Sequence, residues 1–277
     1  MRNPLVASLA AWYSKRCCLC GTPRIEAVLQ SYNKKILCPG CRKRLFFGGL
    51  LFKILLMSMN IQSSELGELS SDAEARASIN ALFRSVRKQG SIALNFGIPI
   101  YAVFDITNKC NLSCLHCYAS GQQEELPTTE VYHILEKLSA AGVGVIDFGG
   151  GEPLLRTDIF DILTFAKQLG FYTSISTNGI LLDKDCVKRL KTLNIDHVCI
   201  SLDGATPETH DFVRHKKGAY EKTISGIKNC VNAGIATQIS TVVMNSNVAE
   251  VKDLYAFLES LHVEGWYLYD FVPAGRG

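Results

Sequence analysis

From Tyr101 to the end of the chain, short β-rich runs alternate with helical periods of about 10 to 15 residues, and this alternation restricts the fold more than any other feature. Two neighbouring strands separated by a helix need a crossover connection, so the pattern implies βα units and a parallel sheet. The candidate strands are 101–106, 144–149, 171–176, 197–202, 236–244 and 266–271. Helices are expected at 128–141, 156–169, 184–193, 219–233 and 249–261. Six strands with five intervening helices place the chain in the α/β class. They fit a partial (β/α)6 TIM-like barrel better than a doubly wound sheet. In either architecture ligands gather at the carboxyl ends of the strands, and the unusual residues lie there: 108–117, 149–153, 176–179 and 201–204.

The 277 residues suffice to bury a full core, and a net charge of +3 is too small to argue for a nucleic-acid partner. Eleven cysteines gathered in clusters speak for metal binding rather than a secreted disulfide framework. The apolar run Leu5 to Trp12 is brief and is followed by basic, Cys-rich sequence instead of a cleavage site, which argues against a signal peptide. Three parts are expected: 1–61, a Cys-paired zinc-ribbon-like segment plus an apolar helix; 62–98, a linker and a helix at 72–88; and 99–277, the barrel. The apolar stretch 45–61 follows Arg42, Lys43 and Arg44 and carries one charge, Lys53. It falls short of the roughly 20 residues a membrane span needs, so it reads as a packing helix or one lying on a membrane surface. A cytoplasmic protein with peripheral membrane contact is the expectation.

Cys110, Cys114 and Cys117 form C-x3-C-x2-C on the loop leaving the first strand. Soft thiolates at such spacing suit an iron–sulfur cluster or zinc, and three ligands rather than four leave one metal position open for a small molecule. After the second strand, Gly149, Gly150 and Gly151 permit close backbone approach to a ligand, Glu152 adds a carboxylate, and Pro153 suits the first turn of a helix. Ser176 and Asn178 after the third strand, and Ser201 and Asp203 after the fourth, are small polar groups suited to a ribose or carboxylate. Each also has a plain structural reading, an Asx turn at Asn178-Gly179 or a cap at Asp203-Gly204.

The run Cys-Asn-Leu-Ser-Cys-Leu-His-Cys-Tyr, residues 110–118, resembles the cluster loop of the radical S-adenosylmethionine (SAM) superfamily, in particular the branch that often carries a C-terminal SPASM or related auxiliary-cluster domain. The resemblance spans about residues 99–277, and the chain stops where such a domain would begin, as a truncated product or a minimal core. It implies a 4Fe-4S cluster on the three cysteines. It also implies SAM binding by Gly150, Gly151, Glu152 and Pro153 at the amino group, with Ser201 the better ribose candidate and Arg214 facing the carboxylate. Thr241, Val243, Asn245 and residues 272–277 resemble segments flanking adenine, and His116 and Tyr118 would shield the cluster. The implied chemistry is reductive cleavage of SAM to a 5′-deoxyadenosyl radical that abstracts hydrogen from a peptide, tetrapyrrole, pterin or lipid. An electron donor such as ferredoxin or flavodoxin is implied as a partner.

Cys17-x2-Cys20 and Cys38-x2-Cys41 are two knuckles with the spacing of a structural zinc site, a second iron–sulfur cluster being the alternative. Cys186, Cys199 and Cys230 stand alone and read as buried small apolar residues. A rival class remains: an iron–sulfur electron-transfer or metal-binding interaction module, which has no need of the Gly-Gly-Glu-Pro strand end.

Overall fold

The computed structural model describes residues 12–13, 15, 17–20, 24–32, 37–42, 79, 99–119 and 124–277. The expected apolar helix at 45–61 and the linker lie outside the described residues, as does the helix at 72–88 but for Ile79. The chain divides into two compact units.

In the amino-terminal unit, helix α1 (Arg24–Tyr32) packs Ala27 beside Cys17 and Cys41, with Leu37 and Cys38 completing a small cluster. Arg24 lies over the Trp12 ring at 4.6 Å and donates to the Trp12 carbonyl. A metal staple contributes folding energy in a small cysteine-paired cluster of this kind.

From Tyr101 on, the chain forms a six-stranded sheet whose spatial order follows the sequence: β1 (Tyr101–Thr107), β2 (Val145–Gly150), β3 (Tyr172–Thr177), β4 (His197–Ser201), β5 (Thr237–Val243) and β6 (Gly265–Asp270). The pairs β3–β4, β4–β5 and β5–β6 are parallel. Helices α2 (Thr128–Ala141), α3 (Ile159–Leu169), α4 (Lys184–Thr192), α5 (Pro207–Arg214), α6 (Ala219–Asn232) and α7 (Val251–Ser260) fill the connections, with 3₁₀ turns at Pro153–Leu155 and Val248–Glu250. This is the partial TIM-like arrangement that the alternation implies. Strand and helix ends differ from expectation by a residue or two, except where the 3₁₀ turns precede α3 and α7.

The unexpected element is α5. Its signals are local: the Thr206 hydroxyl caps the Thr209 N–H, Pro207 opens the first turn, and Glu208 adds an acidic group there. Glu250 fixes the same corner by accepting from the backbone N–H groups of Ala205 and Thr206.

The two faces of the sheet are chemically different. Register pairs Ile175↔Val198 and Ile200↔Ile239 put β-branched side chains on one face, all four fully buried. That face meets the apolar stripes of the helices: Ile162, Leu163 and Ala166 of α3, Val187 and Leu190 of α4, Ile227 and Cys230 of α6, and Leu254 and Leu258 of α7. Each large aliphatic side chain so buried contributes about 1.5–3 kcal/mol. The intervening pairs, Ser176↔Cys199 and Ser201↔Ser240, put polar groups on the other face. A fully covered parallel sheet would read as continuous apolar runs; the alternation here marks an inner face kept polar.

Candidate active site at the strand ends

The loop from Asn108 to Tyr118 leaves the carboxyl end of β1 and is held from several sides. Lys109 N–H donates to the Thr107 hydroxyl (3.1 Å), and Leu115 N–H donates to the Val213 carbonyl (2.9 Å). Lys216 reaches the Asn111 carbonyl at 3.0 Å. Asn178 Nδ2 donates to Asn111 Oδ1 at 2.7 Å, so this residue after β3 ties the loop rather than standing apart as a ligand group. Beyond β6, Arg276 donates its Nε–H to the Cys114 carbonyl and its backbone N–H to the Cys117 carbonyl, each at 2.9 Å. A Cβ on Gly275 would overlap that Cys117 carbonyl. The segment expected to flank adenine is thus also a strap across the cysteine loop, through an arginine that the sequence reading did not single out.

Of the three thiols, Cys114 is buried, Cys117 half-buried and Cys110 exposed. Partial desolvation pushes the Cys110 thiol up, and the nearby Glu152, Cys114 and Cys117 add to that shift.

The glycine end of β2 fits directly against this loop. Gly151 N–H donates to the Thr107 carbonyl (2.7 Å) and Glu152 N–H to the Lys109 carbonyl (2.8 Å). A Cβ on Gly150 would overlap the Thr107 carbonyl, and one on Gly151 the Lys109 carbonyl; Gly150 also takes a φ of +110°. These positions need glycine because the loop's backbone occupies the space of a side chain.

Glu152 is wholly buried. One carboxylate oxygen accepts from Leu154 N–H (3.1 Å) and the Thr177 hydroxyl (2.8 Å), and the other accepts from Asn178 N–H (2.8 Å). Burial pushes its carboxyl above the usual range, and these three donors, with Arg214, work against that rise. Glu152 therefore caps the 3₁₀ turn that begins at Pro153 and staples the end of β2 to the end of β3.

Arg214 and Asp203, expected separately as SAM-binding groups, meet each other. Arg214 Nη2 lies 2.8 Å from Asp203 Oδ2, and Nη1 lies 3.7 Å from Cys114 Sγ. Asp203 is wholly buried, accepting from Val242 N–H on Oδ1 (2.9 Å). Arg214 keeps one buried donor, Nε–H, without a partner among the described residues. Ser201 lies on the polar face with its hydroxyl 3.4 Å from that of Ser240. Ser176 donates to Asp147 at 2.7 Å. His116 turns its Nε2 toward Asp203 at 3.8 Å.

His210 accepts Asp203 N–H on Nδ1 (3.1 Å), which requires a neutral ring, and burial together with Arg214 and His116 depresses its pKa to about 3. Because the folded pKa lies below the unfolded value near 6.5, acid favours the unfolded chain, which binds the proton first. Stability is expected to fall by about 2 kcal/mol between pH 7.5 and 5 from this ring alone. Urea denaturation at the two pH values measures it, and His210→Gln, which keeps an acceptor but does not titrate, is expected to flatten the drop.

Four thiols of the amino-terminal unit converge separately. Cys17, Cys20, Cys38 and Cys41 bring their sulfurs within 4.8 Å of one another, with pairs at 3.4–3.6 Å. Cys41 N–H donates to Cys38 Sγ at 3.3 Å, so the knuckle backbone turns toward the sulfurs.

Known proteins are similar to this chain over part of its length. Fe-coproporphyrin III synthase of Methanosarcina barkeri is 36% identical over 179 residues, covering 63% of this chain and 45% of its own length. The mycofactocin maturase of Mycobacterium tuberculosis is 33% identical over 183 residues, covering 65% and 46%. The chain thus spans about half the length of the curated relatives it matches. Among solved structures, Streptococcus suis SuiB bound to S-adenosylmethionine superposes with a TM-score of 0.60 at 19% identity, covering 85% of this chain and 54% of that one, which shows a shared fold. The Radical SAM superfamily profile matches residues 104–258, more than half of the chain and the carboxyl ends of β1 to β5, and the chain belongs to that superfamily.

Proposed function

We propose that this chain provides the SAM-cleaving core of a radical SAM enzyme, with a 4Fe-4S cluster on Cys110, Cys114 and Cys117. The observation that carries the reading is the fit of the glycine end of β2 against the three-cysteine loop. It packs Gly150 and Gly151 against the backbone of the loop that carries the three soft sulfur donors, so strand end and thiols are held by one fit, a combination suited to a cofactor that must meet both. An electron-transfer module would need the thiols but not that strand end. A cluster held there would supply one electron and an open iron, the chemistry needed to break the C5′–S bond of SAM into methionine and a 5′-deoxyadenosyl radical.

The chain's own residues have distinct tasks. Gly150 and Gly151 present backbone to the SAM amino group, while Glu152, three of whose acceptor positions are taken by protein donors, holds that edge rigid with Pro153 behind it. Arg214 places a cation beside Cys114 and keeps Nε–H for the SAM carboxylate, with Asp203 fixing its orientation. Ser201 and Ser176, on the polar face, suit the ribose, and Asn178 secures the loop. Arg276 straps the loop. A substrate is sought among peptides and tetrapyrroles, since relatives are named as a mycofactocin maturase and an Fe-coproporphyrin III synthase. A ferredoxin or flavodoxin would deliver the electron. The described residues hold no helix long and apolar enough to cross a membrane.

The test is anaerobic reconstitution with iron and sulfide, then SAM and dithionite, with 5′-deoxyadenosine measured by chromatography. Formation of product is expected; a loaded cluster that yields none would sink the reading.

For the amino-terminal thiols we propose zinc. A tetrahedral ion with Zn–S bonds near 2.3 Å has sulfur–sulfur edges of roughly 3.8 Å, close to the 3.4–3.6 Å seen here. Thiolates of a cubane hang from different irons and stand farther apart. Elemental analysis is expected to find one zinc per chain, lost in a Cys20→Ser, Cys41→Ser double variant; iron in its place would reverse the assignment.

A further inference from the structure

Asp147 is 7% exposed in the middle of β2, and none of the tasks given to the SAM site uses it. Its Oδ2 accepts the Ser176 hydroxyl at 2.7 Å, while Oδ1 is buried with no hydrogen-bond partner among the described residues. A carboxylate offers about four acceptor positions and is costly to leave half-satisfied away from water. The unused oxygen belongs to the polar face: its neighbour Phe148 points the other way, wholly buried and against Phe104.

A second carboxylate shares that face. A Cβ built on Gly149 would lie 3.2 Å from Asp105 Oδ1, and the Tyr118 hydroxyl is 3.5 Å from Asp105 Oδ2. Tyr269 of β6 is pushed up by burial, with Cys199, Tyr267 and Asp147 contributing, so the negative charge of Asp147 reaches across the sheet. Nothing on the strands neutralises it. The six strands contain Asp105, Asp147 and Asp270 and not one lysine or arginine. Their histidine, His197, is hydrogen-bonded to Ser174 at 3.0 Å. Arg214 is paired with Asp203, and Arg276 lies on loop carbonyls. A buried anion with an open lone pair and no cation paired with it among the described residues is complementary to a cationic ligand.

We propose that this inner face is a substrate subsite for a cationic nitrogen, an ammonium or guanidinium such as a basic peptide side chain carries, bound by Asp147, with the exposed Asp105 on the same face near Gly149. The proposal deepens the radical SAM reading and rests on it. Asp147 precedes Gly149 by two residues on the same face, so the subsite lies about 7 Å along the strand from the SAM edge. A group anchored there would hold its neighbouring carbons toward the cofactor. The same field disfavours a polycarboxylate such as coproporphyrin, which separates the two substrate classes that the relatives suggest.

The experiment uses the full chain, reconstituted and SAM-loaded, with three matched probes: Nα-acetyl-lysine methylamide, its Nε-acetylated neutral analogue, and Nα-acetyl-glutamate methylamide. Dissociation constants come from saturation-transfer NMR. The lysine probe is expected to bind at least about tenfold more tightly than the neutral one, with that preference falling below about twofold in Asp147→Asn and weakening in Asp105→Asn. Equal binding of the three probes overturns the proposal, as does a preference that survives Asp147→Asn. SAM is itself a cation and is titrated in parallel. An Asp147→Asn chain that loses SAM along with the lysine probe gives the carboxylate to the cofactor and also overturns the proposal. Failure of the probe preference in a chain that still forms 5′-deoxyadenosine leaves the SAM-cleaving reading intact; absence of cluster or product marks the failure of that reading itself.

Discussion

Replacement of Cys114 by alanine is expected to reduce 5′-deoxyadenosine formation at least about 100-fold and to remove the visible absorbance of the reconstituted cluster, since two thiolates do not retain a site-open cubane. Cys114 is the most buried of the three cysteines, and its sulfur is the one in reach of Arg214. The substitution therefore also leaves a buried guanidinium with Asp203 as its one charged partner. The fold is expected to survive at a cost of about 1 kcal/mol, because the loop keeps its backbone bonds to Val213 and Arg276. Cys230→Ala is the matched control: a wholly buried thiol on α6, opposite the polar face, whose loss is expected to lower stability by a similar amount while leaving the absorbance in place. Absorbance spectra and product assays on the two variants check both expectations.

Gly151→Ala is expected to be nearly as damaging by a different route. The added methyl would occupy the place of the Lys109 carbonyl, the group that accepts Glu152 N–H and directly precedes Cys110. Relief requires the cysteine loop to move away from β2, at about 2–3 kcal/mol by the usual cost of overpacking. Iron content after reconstitution is expected to fall, and SAM binding with it. Gly149→Ala sets the scale. Its Cβ would meet the end of the Asp105 side chain at 3.2 Å and Val103 at 3.9 Å, contacts that a side-chain adjustment relieves, so less than about 1 kcal/mol is expected. Similar losses in the two variants, measured by denaturation and iron assay, would mean that the backbone-to-loop fit is not what these glycines provide.

Much of this architecture was legible because it is periodic. Strand and helix spacing exposed five of the six helices that connect the strands and all six strands, and the loops with unusual chemistry fell at the carboxyl ends where a parallel sheet puts its ligands. Helix α5 escaped because eight residues hold barely two turns, too few for an apolar period, and its cap signals at Thr206 and Pro207 stand next to a glycine that reads as a turn. The site residues were found by type but not always by task. Glu152, Asp203 and Asn178 look alike in sequence as polar groups at strand ends. Only contacts separate a carboxylate satisfied by three donors from one left half-open, and those contacts come from strands and turns distant in sequence. For the same reason Asp147 passed unnoticed: inside Val-Ile-Asp-Phe-Gly it reads as one polar residue in a buried strand, and its partner Ser176 is 29 residues away. Arg276 is a similar case, since the carbonyl it holds lies 162 residues earlier.

The central claim is that the three cysteines present a cluster with one iron free to take SAM. It is tested most directly by electron paramagnetic resonance of the anaerobically reconstituted, dithionite-reduced chain before and after SAM is added. The account requires a reduced-cluster signal whose g values and line shape change on addition and which is missing in Cys114→Ala. A signal that SAM leaves unaltered, or one that persists without Cys114, would contradict it.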